Sequence, residues 1–135
     1  MHAAFARWRR SFCSEQLALS LVLAACGSSP GALTGSSCPT AAPPTYATFG
    51  QAFFQSYCLG CHSQSRTGEA RNGAPVTIDF DTRSLVRENT SDIDKQAAFG
   101  PKARNTLMPS GDQPGPSDAE RIRLGEYIAC EVAGP

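Results

Sequence analysis

The chemistry of this chain is concentrated in five consecutive residues, CLGCH, at positions 58–62. Two residues separate the two cysteine thiols, and a histidine directly follows the second thiol. Three kinds of site use such a pattern: a redox dithiol, part of a zinc site, or the anchor of a covalently bound haem. The sequence around the motif distinguishes among these three.

The dithiol interpretation conflicts with the elements that must flank it. A thioredoxin-like pair follows a strand and precedes a helix within a βαβ unit. Here the residues before the motif have the pattern of a helix, and the residues after it, SQSRTGEARNG, form a polar loop. A thiol redox protein therefore remains only an alternative.

A zinc site would have to draw its four ligands from Cys58, Cys61, His62 and either Cys38 or Cys130. Cys61 and His62 are adjacent, whereas structural zinc sites separate the two ligands of a pair by at least two residues. An exported chain also keeps its spare cysteines in disulfides. The haem interpretation uses every residue at its actual spacing, with two thiols on one turn for thioether bonds and an imidazole beside them for the iron.

The N-terminus indicates export. Arg7, Arg9 and Arg10 precede the apolar run LALSLVLAA at 17–25, which is too short to span a bilayer. A positive start, a short apolar run and small residues behind it are typical of a secretory signal peptide, which we place at residues 1–25.

The end of the apolar run, LAAC at residues 23–26, resembles the lipobox of bacterial lipoproteins. The resemblance implies cleavage before Cys26 and acylation of its thiol, which would anchor the protein in the envelope of a Gram-negative bacterium. Gly27 follows the cysteine where retention in the inner membrane would favour Asp, so the resemblance implies the outer membrane. Residues 26–44, rich in Gly, Ser and Pro, have the composition of a flexible tether.

The composition gives no indication of nucleic-acid binding, and we expect none. The chain of 135 residues contains 12 Lys plus Arg and 12 Asp plus Glu, and no block of one charge. Removal of the signal peptide leaves 9 positive and 11 negative side chains, one histidine (His62) and one methionine (Met108). The length permits one modest domain, which we place at residues 45–135.

Short helices account for most of that domain. Thr45 can cap an opening helix, in which Tyr46, Phe49, Phe53 and Tyr57 form an aromatic stripe. Ser117 and Glu120 form a capping box for a closing helix, with Ile122, Gly125, either Ile128 or Ala129, and Val132 expected on its buried face. Gly50 and Gly125 would let these two helices cross closely. Asp81 and Ser91 are expected to cap two shorter helices between them, and VTIDF (76–80) to form a short strand or an extended segment.

From about Tyr46 to Val132 the sequence resembles the class I c-type cytochromes, which carry a single haem. The resemblance rests on the opening helix, CLGCH, a methionine before a proline, and the closing helix. It implies an all-α fold: a small cytochrome c-like bundle of three to five short helices around one covalent haem c.

Two arguments together predict the axial ligands of the haem iron: the mature chain has only one histidine and one methionine, and the resembled family has its ligands at matching positions. His62 would be the proximal ligand, and Met108, the single methionine after export, lies in NTLMPSG where that family places its distal ligand. The family also implies a proline carbonyl for the second histidine nitrogen, for which Pro75 is in range. Asn105 or Thr106 would donate to the methionine sulfur. One of Arg71, Arg83 and Arg104 could pair with a haem propionate, although solvation at the protein surface is the expected role of each of them.

Two cysteines remain after the haem is assigned. Cys38 precedes the opening helix and Cys130 lies in the closing helix, and these helices are expected to be neighbours. We therefore predict a Cys38–Cys130 disulfide, which would contribute about 4 kcal/mol by closing a long loop.

These features predict a periplasm-facing single-electron carrier that exchanges electrons with other redox proteins and is not an enzyme. A haem sensor or an enzyme-associated subunit with an open distal position is the alternative. The mature chain has no second histidine for a distal acid–base pair. An envelope lipoprotein in which haem only stabilises an interaction module is a further alternative.

Overall fold

A computed structural model describes residues 31–111 and 114–134. Over these ranges the regular structure is helical and contains no β-strand, so the all-α expectation is confirmed. The four α-helices are α1 (Gln51–Tyr57), α2 (Arg83–Glu88), α3 (Thr90–Ala97) and α4 (Asp118–Ala133). In this part of the chain no helix is both long enough and apolar enough to cross a membrane. The signal peptide at 1–25 and Cys26 lie outside the described residues.

The opening helix begins where Thr45 predicts it. Thr45 accepts a hydrogen bond from the Thr48 amide at 3.1 Å, and the Thr48 hydroxyl accepts one from the Thr45 amide at 3.0 Å, which completes a capping box. A π-helical turn at Tyr46–Gly50 leads directly into α1. Residues 76–80, which follow later, form no strand. Residues 76 and 77 lie in a turn that the Ile78 amide closes by donating to the Pro75 carbonyl at 3.1 Å, so the prediction of a short strand or an extended segment is wrong there.

The Ser117–Glu120 capping box of α4 is present as predicted, and Gly125 and Ile128 are buried as predicted, but two other residues expected on the buried face are not. Ile122 and Val132 are 45% and 70% exposed. Two charged residues are buried in their place, together with the apolar residues that flank them: Arg121, Leu124, Tyr127, Ile128 and Glu131. Hydrogen-bonding partners make this possible, since Glu131 accepts from Arg83 at 3.0 Å.

The opening helix crosses α4 at Gly50, as predicted. A Cβ atom at Gly50 would lie 2.9 Å from Cζ of Tyr127, so the close approach requires glycine. The ring of Phe54 packs against Tyr127 with centroids 6.2 Å apart. Gly125 does not contribute to this crossing, contrary to the prediction. It faces the N-terminal segment and the residue after α3 instead, because a Cβ atom would lie 2.5 Å from the Ser36 hydroxyl oxygen and 2.6 Å from the Phe99 carbonyl oxygen.

The two short central helices exist, but their caps differ from the prediction. Thr82 caps α2 by accepting from the Leu85 amide, because the Asp81 carboxylate is engaged elsewhere. Asp81 accepts from the Ser63 hydroxyl at 2.6 Å and from the Gln64 amide at 2.9 Å. The α3 helix already begins at Thr90, one residue before the expected cap Ser91.

The prediction of a flexible tether at residues 26–44 is wrong for residues 31–44, which pack against the domain. Thr34 is only 1% exposed, and its amide and hydroxyl both donate to the buried Asp94 carboxylate, at 2.8 and 2.6 Å. The predicted disulfide between Cys38 and Cys130 joins the same segment to α4, with 4.6 Å between the Cα atoms. Short hydroxyl and backbone groups make these contacts, so the composition looks like that of a linker.

Candidate haem site

The CLGCH motif forms a single tight turn at the end of α1. Cys58 caps the helix with its amide bonded to the Phe54 carbonyl at 2.9 Å. The amides of Cys61 and His62 then both donate to the Cys58 carbonyl, at 3.1 and 2.8 Å. Phe53 and Phe54 are buried and fix the last turn of α1 in the core. The two thiols and the imidazole are therefore carried by a single backbone turn.

Both thiols of the motif are free. Cys58 and Cys61 are partly exposed and are not bonded to each other. Burial of the sulfur raises the pKa of Cys58 to about 12, although the positive charge of Arg121 acts in the opposite direction. Redox dithiols depend on a lowered pKa that supplies thiolate near neutral pH. The environment of Cys58 is therefore unsuited to the dithiol alternative.

A zinc site at the CLGCH motif would have no fourth ligand. Cys38 and Cys130 are bonded to each other, so neither is free to join the motif. Within residues 31–111 and 114–134, no three His, Cys, Asp or Glu side chains are grouped so that they could hold a metal ion.

Two contacts orient the imidazole of His62, one to a backbone carbonyl and one to an aromatic ring. Its Nδ1 lies 2.9 Å from the Ile78 carbonyl oxygen, and its ring packs on Phe80 with centroids 4.9 Å apart. A carbonyl oxygen can only accept, so the proton of the neutral ring is on Nδ1 and the Nε2 lone pair is left for a ligand. The hydrogen-bonding partner is Ile78 and not Pro75, so the prediction of Pro75 is wrong.

A buried arginine organises the segment that begins with the last residue of the motif, residues 62–80, which we call the His62 loop. The Arg71 side chain is 4% exposed and forms an ion pair with Asp79 at 2.8 Å. Its guanidinium also donates to the Ile78 carbonyl at 3.2 Å, the same oxygen that His62 approaches. Further acceptors are the carbonyls of Ser63, Arg66, Ala74 and Pro75. Arg71 thereby holds in place the acceptor that orients His62.

Met108 lies in residues 99–111, which we call the Met108 loop, and its backbone is bound on both sides. Its amide donates to the Gln96 carbonyl of α3 at 2.9 Å, and its carbonyl accepts from Arg121 of α4 at 2.8 Å. Its side chain is partly buried and packs against the hydrophobic core. Asn105 does not donate to the methionine sulfur as predicted, because its amide group donates to the carbonyls of Ala32 and Asp94, both at 2.8 Å.

The motif and the Met108 loop lie against the same core. Partly buried side chains that pack on this core include Cys58, Leu59, Ile78 and Met108. Phe80, which contacts the His62 ring, is a member of the core itself. Arg121 contacts the Met108 carbonyl and is close enough to Cys58 to influence its pKa. Cys58 and Met108 therefore pack on one apolar cluster, which the His62 ring contacts through Phe80, and Cys61 lies on the same turn as Cys58.

The donor set suits a covalently attached haem. Two free thiols can form thioether bonds, Nε2 of His62 is available to iron, and the thioether of Met108 is a suitable second axial ligand. The three arginines expected near a propionate each have a carboxylate partner in the protein. These ion pairs are Arg71–Asp79, Arg83–Glu131 and Arg104–Asp118.

Sequence reasoning missed the roles of Arg71 and Arg121. Both are charged residues in positions that resemble an ordinary polar surface. Helical spacing contained a signal for Arg121, because it lies three and four residues before Leu124 and Gly125, which are buried. No comparable signal exists for Arg71, whose short 3₁₀ turn at Gly68–Arg71 lies in a loop without landmarks.

Comparison with known proteins gave no match. No protein-family model, no curated protein and no solved structure is similar to this chain. The case for a function therefore depends on the side chains of the CLGCH turn and of the two loops.

Proposed function

We propose that this protein is a one-electron carrier of the bacterial envelope that holds a single haem c. The observation that carries the proposal is the His62 side chain on the CLGCH turn. Its Nδ1 is bound to the Ile78 carbonyl at 2.9 Å, and two free thiols lie on the same turn. A histidine that ligates iron needs this second hydrogen bond to fix its tautomer and its ring orientation.

Four residues would hold the group. Cys58 and Cys61 would form the thioether bonds, His62 would be the proximal ligand and Met108 the distal ligand. When bound, haem supplies a one-electron couple between ferric and ferrous iron.

The surrounding residues would set how readily that couple is reduced. Phe80 is buried beside the imidazole, and Ile78 and Leu59 are apolar and partly buried. An apolar environment disfavours the additional positive charge of ferric iron, and methionine ligation raises the potential further. We therefore expect a positive midpoint potential.

The Cys38–Cys130 disulfide is consistent with the export that the N-terminal sequence predicts, because disulfides persist in oxidising compartments. We propose that acylated Cys26 anchors the protein in the outer membrane. Gly31 already lies against Lys95 and Asn105 of the fold. Only five residues, 26–30, would then separate the acylated end from packed structure, a reach of at most about 18 Å.

The test is the pyridine haemochrome spectrum of the full-length gene product, made with the cytochrome c maturation machinery. The spectrum of a haem with two saturated thioether links is expected, and the variant C58A/C61A should retain no haem after acid–acetone extraction. A wild-type protein without covalent haem would refute the proposal.

A second experiment separates the carrier from the open-site alternative. Reduced wild-type protein should not bind carbon monoxide, because Met108 occupies the distal position, whereas M108A should bind it and shift its Soret band. If wild-type protein binds carbon monoxide as readily as M108A, Met108 is not a ligand and the sensor alternative replaces the carrier.

A further inference from the structure

The α4 helix contributes a buried arginine to the Met108 loop. Arg121 is 6% exposed, and its Nη1 donates to three backbone carbonyls. The acceptors are Ala97 at 2.7 Å, Asn105 at 3.1 Å and Met108 at 2.8 Å. The guanidinium of Arg121 thus connects the last residue of α3 to Asn105 and to Met108, the predicted distal ligand.

The backbone of the same residue reinforces this connection. The Arg121 carbonyl accepts from the Phe99 amide at 3.0 Å, and the Phe99 ring lies 5.5 Å from the guanidinium carbon. On its other side, Met108 donates its amide to the Gln96 carbonyl at 2.9 Å. The loop is therefore clamped between α3 and α4.

The charge of the guanidinium is compensated by hydrogen bonds to these carbonyls and, at longer range, by the Asp118 carboxylate. None of the carboxylates in residues 31–111 and 114–134 lies within 4.0 Å of Arg121. A buried cation must be hydrogen-bonded, and hydrogen bonds from a charged donor are about twice as strong as neutral ones. Removing the guanidinium would leave three carbonyl acceptors without this donor and would loosen the loop.

We propose that Arg121 is a positioning residue that holds Met108 in place as the distal haem ligand. The inference rests on the proposed function, since it concerns the ligand rather than the haem attachment. It predicts that loss of Arg121 opens the distal position while the CLGCH turn and its thioether bonds stay intact.

The experiment compares R121Q and R121K with R123Q in the full-length, matured protein. Arg123 is a matched control because it lies on the same helix but bonds to Glu126 and to the Ala42 carbonyl, both away from Met108. Two quantities are measured: carbon monoxide binding to the reduced protein, and backbone amide exchange at Met108 and at His62.

We expect R121Q to bind carbon monoxide and its Met108 amide to exchange about tenfold faster or more, because a charged hydrogen bond is lost. The His62 amide, which donates to the Cys58 carbonyl within the CLGCH turn, should exchange as in wild type. R121K should give a smaller change in both quantities, because the lysine ammonium can donate some of the hydrogen bonds that the guanidinium donates. R123Q should behave as wild type.

Unchanged exchange at Met108 and no carbon monoxide binding in R121Q would overturn the inference. If R121Q loses protection at His62 as well, R121K decides: faster exchange confined to Met108 supports the role, and wild-type exchange there refutes it. A wild-type protein without haem would refute the proposed function instead, while the exchange comparison would still report whether Arg121 holds the loop.

Discussion

The two loops that present the axial residues are each built around a buried arginine, but they are built differently. Arg71 belongs to the His62 loop itself, and all its partners lie within eight residues, including the carboxylate of Asp79. Arg121 reaches the Met108 loop from α4, with acceptors 13–24 residues away in the sequence. One loop is locally self-contained, and the other depends on tertiary packing.

The N-terminal segment, residues 31–44, adds further long-range contacts on which the Met108 loop depends. The Lys102 amide donates to the Thr34 carbonyl at 2.8 Å, and the Asn105 side chain donates to the Ala32 carbonyl. The hydrogen bonds and ion pairs described above tie the His62 loop to itself, to the CLGCH turn and to the start of α2. We therefore expect the two axial ligands to respond unequally when the protein is destabilised, with Met108 released before His62. The following predictions test this asymmetry in order of decreasing expected effect.

Replacing Arg71 should disrupt the His62 loop most strongly. R71M leaves Asp79 buried without its cation and should lower the free energy of unfolding by about 3–5 kcal/mol. Urea denaturation measures this effect. The control R66Q, at an exposed position of the same loop, should change stability by less than about 0.5 kcal/mol. Equal stabilities of R71M and R66Q would contradict the central role of Arg71.

Removing the disulfide should act mainly on the Met108 loop. C38S/C130S opens a link between residues 92 apart and should cost about 4 kcal/mol in unfolding free energy. Native-state amide exchange should accelerate more at Lys102, which binds Thr34, than at Phe80, which binds the His62 carbonyl. Uniform acceleration in both loops would contradict the proposed asymmetry.

A single substitution in the N-terminal segment should also lower the free energy of unfolding, but by less than removal of the disulfide. T34V removes the hydroxyl that donates to Asp94 at 2.6 Å and should cost about 1–3 kcal/mol. T40V, at an exposed position of the segment, is the control and should be near neutral. Thermal unfolding of both variants provides the comparison, and an equal effect of the two would mean that the segment is not anchored at Thr34.

The smallest predicted effect is a pH dependence at the α4 cap. Hydrogen bonds from the Ser117 hydroxyl and amide, and then from Tyr57, lower the pKa of Glu120 below its ordinary 4.5. A lowered folded-state pKa adds stability above the unfolded value, and this contribution is lost as the pH falls from about 4.5 through the folded value. E120Q keeps the capping box but does not titrate, so its stability should decline less over that range. Parallel pH profiles would refute this assignment.

Local signals allowed the sequence to predict the helices and the motif. Capping boxes at Thr45 and Ser117 depend on residues three apart, and CLGCH depends on a single turn. The Cys38–Cys130 disulfide was also predictable, because two spare thiols lay near elements that were expected to pack together.

The parts that sequence did not predict depend on long-range hydrogen bonds from polar groups. Thr34 is buried because Asp94, 60 residues away, accepts both of its donors. Arg121 and Glu131 occupy the inner face of α4 because carbonyls and Arg83 compensate their charges. A prediction that counts only apolar residues assigns such side chains to the surface, so it placed Ile122 and Val132 inside, although Gly125 and Ile128 are buried as predicted, and it missed the roles of Arg71 and Arg121.

The central claim is that Cys58 and Cys61 bind a porphyrin covalently beside His62. The intact mass of the matured protein, measured after denaturation, tests it most directly. We expect the mass of the processed chain increased by one haem, and no such increase in C58A/C61A produced in the same way. A wild-type chain without the added mass, in cells that mature other c-type cytochromes, would contradict the account.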